Sequence, residues 1–111
     1  MDLDSTLQAL ADPHRRAVIE VLKRQPRRAG EIASVLKLTP PALSRHLRVL
    51  RRSGLIEEEG VDQDARVRIY HLRQAPFAEL RGWLDEVESF WTGQLAAFQS
   101  HVQRAKGRTK R

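Results

Sequence analysis

Residues 30–55 read GEIASVLKLTPPALSRHLRVLRRSGL, and the reading of this stretch decides the fold. Ile32, Ala33 and Leu36 recur at helical spacing, and after a short break Leu43, Leu47 and Leu50 do so again. In the break, Leu38 is placed to pack inward and Thr39 to cap the second helix. Pro40 and Pro41 are tolerated there because the first helical turn does not use all of its amide hydrogens. Ser53 and Gly54 stop the helix. The second helix carries Arg45, Arg48, Arg51 and Arg52, with no acid between Thr39 and Ser53. An ordinary exposed helix face mixes signs, so this pair of helices is expected to form a helix-turn-helix whose second helix enters the DNA major groove.

Upstream, Leu3, Leu7, Leu10 and Ala11 predict a helix over residues 3–11. Asp12 and Pro13 then restart the chain as N-cap and first helical residue. The helix they open runs to about Arg24, with Ala17, Val18, Val21 and Leu22 facing inward, and Gln25-Pro26 ends it. Downstream, Leu55 and Ile56 lead into a strand. Residues 60–65, GVDQDA, supply a turn, and residues 66–72, RVRIYHL, a returning strand. A hairpin directly after a basic helix describes a wing, closed by Ala75-Pro76.

The last helix is expected over residues 77–102. Phe77, Leu80, Leu84, Val87, Trp91, Leu95, Phe98 and Val102 follow steps of three and four, with Trp83 and Phe90 on a second flank. Its length of roughly 39 Å exceeds what a small helical head can cover. Pairing with a second copy is the stronger reading, with Leu80, Trp83, Leu84, Val87, Phe90, Trp91, Leu95 and Phe98 at the interface. The alternative is an internal core helix with a ligand pocket lined by Trp83, Phe90 and Trp91. Residues 103–111 carry five basic side chains from Arg104 onward and read as a disordered tail. The expected architecture is mainly α with a small β-hairpin: a winged helix-turn-helix over residues 1–102, long C-terminal dimerisation helix included, and a basic tail.

The totals agree. A chain of 111 residues suits one domain. The net charge of +6 is segregated: residues 13–52 hold eleven Arg or Lys against Glu20 and Glu31, whereas residues 77–98 hold one Arg against four acids. Such a face steers and holds nucleic acid by phosphate contact and counterion release. Cysteine is absent, which excludes disulfides and thiolate metal ligands. No apolar run is long enough to cross a bilayer, and the acidic start MDLDSTLQAL lacks the regions of a signal peptide. A cytoplasmic location without membrane contact is expected.

With three leucines holding the second helix inward, Pro41, Ala42, Ser44 and Arg45 are placed to read bases. Ser44 and Arg45 lie near its N-terminal end, and arginine can make paired hydrogen bonds to guanine. Arg48, Arg51 and Arg52 suit phosphates, which position the helix without reading sequence. Thr39, Pro40 and His46 lie beside that surface, with contact to phosphate open. In the wing, Arg66 and Arg68 share one strand face and fit phosphate or minor groove, although Asp62 and Asp64 at the tip weaken the case. Enzyme chemistry finds no footing. His14, His46, His71 and His101 are widely separated, and neither an HExxH motif, a Gly-rich phosphate loop nor a nucleophile elbow occurs. No cofactor or metal is expected. Two other classes remain: a nonspecific architectural DNA binder, and a protein-interaction module.

Residues 10–22 (LADPHRRAVIEVL), 30–36 (GEIASVL), 41–56 (PALSRHLRVLRRSGLI) and 68–72 (RIYHL) together resemble the ArsR family of bacterial winged-helix transcriptional regulators, over about residues 6–102. WLDEVESFW at 83–91 is similar to the closing helix of its metal-independent members. The resemblance implies a homodimeric repressor, dimerised by its first and last helices, which adds Leu3 and Leu7 to the interface, on an inverted-repeat operator in double-stranded DNA. The family's DNA-facing positions fall on Pro40, Pro41, Ser44 and Arg45, with Pro40 departing from the usual polar residue. Its thiolate sensor motif would fall on Glu31, Ile32, Ala33, Ser34 and Val35, where nothing binds a soft metal. At the other common metal site Asp85 is followed by Val87 where a second ligand belongs. Metal sensing is therefore not carried over, and the effector stays open.

Overall fold

The structure, a computed structural model, describes residues 2–61 and 64–109, with backbone only at 64–66 and 106–109. The elements in order are α1 (Leu3–Leu10), α2 (Pro13–Arg24), β1 (Arg27–Arg28), α3 (Ala29–Leu36), α4 (Pro40–Arg52), β2 (Ile56–Val61), β3 (Asp64–Leu72) and α5 (Gln74–Thr109). Backbone contacts divide the chain into two compact units, Met1–Glu79 and Leu80–Arg111.

In the first unit, helix starts follow local chemistry. Asp2 caps α1 by accepting from the Ser5 amide at 3.0 Å. That hydrogen bond and one from the Ser5 hydroxyl hold the Asp2 carboxyl below the usual carboxylate range, so this cap is present at neutral pH and is lost as pH falls through the lowered value. Asp12 caps α2, accepting from the amides of His14 at 2.7 Å and Arg15 at 3.2 Å. The Thr39 hydroxyl accepts from Ala42 at the head of α4. Arg28 stands at the N-cap of α3. An arginine side chain has no acceptor, so only half a capping box forms, the Glu31 carboxylate accepting from the Arg28 amide at 3.2 Å.

Two arginines of α2 close the opposite end of α1. The Arg15 guanidinium donates to the carbonyls of Ala9 at 2.7 Å and Gln8 at 3.1 Å, and Arg16 to that of Leu10 at 2.7 Å. They satisfy carbonyls that the helix end leaves open. α1 buries Thr6 and Ala9 and leaves Leu7 exposed. The Thr6 hydroxyl is satisfied by the Asp2 carbonyl at 3.3 Å.

α2, α3 and α4 enclose the core. Val18, Ile19, Val21 and Leu22 of α2 meet Ile32 of α3 and Leu43, Leu47 and Leu50 of α4, with Leu55 and Ile56 below. Each such aliphatic side chain contributes about 1.5–3 kcal/mol on full burial. α4 ends in a Schellman motif: the amide of Leu55 reaches the carbonyl of Leu50, that of Gly54 reaches Arg51, and Gly54 takes φ 78°.

The turn between α3 and α4 uses the same closure with a residue less suited to it. Leu38 donates to Ala33 at 3.0 Å and Lys37 to Ser34 at 3.4 Å, while Lys37 sits at φ 56°. A side chain at that φ costs about 1–2 kcal/mol. Part of this returns on Lys37→Gly, offset by the freer unfolded chain. We expect this substitution to raise unfolding stability by roughly 0.5–1 kcal/mol, read as a higher urea midpoint. A lower midpoint would contradict the left-handed turn.

β1, β3 and β2 form an antiparallel sheet in that order. Arg27 pairs with Tyr70 and Arg28 with Ile69, so this two-residue strand ties the start of α3 to the wing. Across the hairpin, Ile56 faces Leu72, Glu58 faces Tyr70 and Gly60 faces Arg68, with an irregularity at Gly60/Val61. Asp62, expected at the wing tip, lies outside the described residues, as does the Arg66 side chain; Asp64 is described by its backbone, at the start of β3.

α5 starts at Gln74, three residues before the expected Phe77, with Pro76 in its first turn where the missing amide is not needed. It continues past the expected end at Val102 to Thr109. Gln103, Arg104 and Ala105 are good helix formers and nothing among them breaks the ladder. In the second unit the large apolar residues of this helix from Trp83 to Phe98 are exposed, Val87 least at 36% and Phe98 most at 64%. Among the described residues, no helix is long and apolar enough to cross a membrane.

Candidate nucleic-acid interface

α4 presents two unlike faces. Leu43, Leu47 and Leu50 are buried, while Pro41, Ser44, Arg45, Arg48, Arg51 and Arg52 are exposed and Ala42 is half-buried. Thr39 and Pro40 are exposed at the helix start, where Thr39 spends its hydroxyl oxygen on capping. Leucines fixed in the core set the rotation of the helix, and that rotation brings the expected base-facing residues together on one open side. The guanidinium groups of Arg45, Arg48 and Arg52 make no hydrogen bond or ion pair among the described residues. They are cations without internal compensation, at the surface where a polyanion would supply it.

Arg51 differs. Expected on phosphate with its neighbours, its guanidinium lies 2.7 Å from the half-buried Glu58 carboxylate of β2 while the Arg51 side chain itself stays 39% exposed. Glu58 in turn faces Tyr70 of β3. Burial, followed by the hydrogen bond and charge of Glu58, raises the Tyr70 phenol above its usual range. The arginine thus ties the last turn of α4 to the sheet, and its charge is met inside the molecule. Arg51→Gln and Glu58→Gln should each lower stability by about 1 kcal/mol, with the double variant losing less than the sum. Arg51→Gln should leave the salt dependence of DNA binding unchanged, checked by titration across a salt series; a clear drop would return Arg51 to the phosphates.

His46 faces a protein neighbour. Its ring is half-buried, 5.5 Å centroid to centroid from that of His14 at the head of α2. In the wing, Arg68 is exposed on the same strand face as Tyr70. On the other face His71 lies between Glu59 at 3.3 Å and Glu57 at 3.7 Å, and Arg73 meets Glu57 at 3.0 Å. No group of three or more His, Cys, Asp or Glu able to hold a metal ion forms among the described residues.

The residues of the expected dimer face are placed as follows. Leu3 and Leu80 are half-buried and Leu7 is exposed. Trp83, Leu84, Val87, Phe90, Trp91, Leu95 and Phe98 are exposed along α5. The alternative of a core helix with an aromatic pocket is not what the chain forms by itself, since Trp83, Phe90 and Trp91 are 43%, 58% and 60% exposed. Phe90 and Trp91 meet edge to face within the helix, 5.7 Å apart.

Comparison with known proteins agrees with this geometry. A family profile described as bacterial regulatory protein, arsR family, matches residues 12–58, from the cap of α2 to the start of the wing. The HTH-type transcriptional regulator Rv2034 of Mycobacterium tuberculosis is 40% identical over 96 residues, spanning 86% of this chain and 83% of that protein. The transcriptional repressor SdpR of Bacillus subtilis is 30% identical over 56 residues, 50% of this chain and 62% of that protein. Among solved structures, the ArsR-like transcriptional regulator from Rhodococcus sp. RHA1 superposes with a TM-score of 0.76 at 26% identity, covering 88% of this chain and 90% of that one. The family profile, the relative 40% identical over most of both chains and the superposition at a TM-score of 0.76 together place the chain in the ArsR family of DNA-binding transcriptional regulators.

Proposed function

We propose that this protein is a homodimeric repressor that occupies an inverted-repeat operator. The observation that carries the dimer is the apolar ridge of α5: Leu84, Val87, Trp91, Leu95 and Phe98 follow one side of the helix and are 36–64% exposed. Such a surface on one chain calls for a partner, and two-fold pairing of identical chains is the commonest solution. Leu80, Trp83 and Phe90 of α5 belong to the same interface, and Leu3 and Leu7 of α1 are assigned to pairing as well. A two-fold dimer carries two copies of α4 to successive turns of the major groove.

On each half-site, Pro41, Ala42, Ser44 and Arg45 meet base edges, Arg48 and Arg52 meet phosphates, and the wing adds Arg68. Residues 1–102 make up the functional domain, followed by the basic tail. Occupancy of the operator, which blocks transcription, follows protein concentration or an effector of a class these residues do not specify. The kinship with a protein named as a transcriptional repressor supports repression over activation.

A competition titration tests this reading: labelled duplex from the protein's own promoter region, with excess random duplex at physiological salt. Retained binding with two chains per site is expected. Complete loss to the random competitor would favour the nonspecific architectural reading instead.

A further inference from the structure

The arginines around the sheet divide by partner. Arg27 faces Glu31 at 3.6 Å, Arg51 faces Glu58 at 2.7 Å, and Arg73 faces Glu57 at 3.0 Å. The guanidinium groups of Arg28 and Arg68 have no hydrogen bond or ion pair among the described residues, and both residues are exposed. They arrive from different strands, Arg28 at the end of β1 and Arg68 within β3. Yet both line one open cleft of about 320 Å³, walled otherwise by Ala29, Gly30, Val67 and Tyr70.

Three further facts bear on what that cleft receives. A Cβ added at Gly30 would meet nothing within 4 Å, so this wall stands clear of the protein. Ala29, Gly30 and Tyr70 also wall a smaller cavity that reaches Ser44 of α4, so the cleft adjoins the surface assigned to the bases. Arg28 and Arg68 both line this cleft and no carboxylate does, so an anion seated there meets two cations and no repulsion. A phosphodiester offers two unbridged oxygens, which suits paired guanidinium forks.

We propose that Arg28 and Arg68 together clamp one phosphate of the DNA backbone, beside the groove entered by α4. The clamp rests on the DNA reading above and adds Arg28 to the contact surface. It assigns Arg68 to a backbone phosphate and takes it out of the minor groove. Because a phosphate carries no sequence, the clamp fixes register and affinity and leaves base preference to Ser44 and Arg45.

The test uses the full chain, two unrelated duplex sequences and a salt series. The double variant Arg28→Gln/Arg68→Gln is expected to weaken binding to both duplexes about tenfold per half-site. Its slope of log affinity against log salt should fall by about 1.8 for a bound dimer, the value for one phosphate in each half-site. A fall of about 3.6 would mean two separate phosphates in each half-site and would overturn the shared clamp, as would an unchanged slope or a loss confined to one duplex. Unfolding midpoints should match the parent, since both side chains are exposed. Should the glutamine pair not fold, Arg28→Lys/Arg68→Lys keeps the charge and loses the fork; weaker binding at an unchanged slope is then expected, and parent-like affinity overturns the clamp. If the parent chain binds neither duplex, the DNA reading fails and the clamp with it. If the parent binds and the double variant matches it, the clamp alone fails.

Discussion

Changing Leu84 and Trp91 together to glutamate is expected to give a folded monomer that binds its operator about 10²–10⁴-fold more weakly than the parent chain. The two positions are seven residues apart, two helical turns, and so share one side of α5. Both are already solvent-exposed in the single chain, at 50% and 60%. Replacing a core residue such as Leu43 would leave a cavity costing several kcal/mol; replacing these leaves none, so the first unit should keep its unfolding transition. What is lost is contact between copies. Four like charges on a two-fold interface oppose pairing, and each half-site must then be bound alone. The forfeited gain is that of linking two binding events, about 10²–10⁴ in affinity. Sedimentation equilibrium gives the mass and titration gives the affinity. A dimer that survives both substitutions would move the interface away from this ridge.

Arg45→Ala is expected to collapse discrimination while sparing the fold. Arg45 is exposed on α4, two residues beyond the buried Leu43, and no carboxylate engages it among the described residues. Paired hydrogen bonds from arginine to guanine are worth about 1–3 kcal/mol of base discrimination. The ratio of operator to random-duplex affinity should therefore fall by roughly 5- to 150-fold per half-site, and random-duplex affinity should fall much less. Equal losses on both duplexes would place Arg45 on a phosphate.

The first four helices were legible because their signals are local. Asp12 and Pro13 open α2, Thr39 opens α4 and Gly54 closes it, each acting within a turn of its own position. β1 was not legible. Its two arginines follow Pro26 with no alternation to read, and only pairing with Tyr70 and Ile69 some forty residues away makes them a strand. The capping of α1 by Arg15 and Arg16 escaped for a related reason, since charge counting assigns arginines to solvent or to phosphate and not to carbonyls at a neighbouring helix end.

The candidate site divides the same way. Its open face followed from leucine spacing, because helical periodicity fixes which residues point away from the core. Which arginines on that face are free did not follow. Arg48, Arg51 and Arg52 look alike in sequence, and only the fold brings Glu58 to 2.7 Å from Arg51. Arg28 gave no signal beyond its charge until β1 and β3 brought it to the same cleft as Arg68.

The most direct test of the central claim is nuclease footprinting of the purified protein on duplex covering its own promoter and the neighbouring genes, with excess random DNA at physiological salt. The account predicts one protected inverted repeat, its half-sites about one helical turn apart or a multiple of that. Protection that spreads without a boundary, or none that survives the competitor, would contradict it.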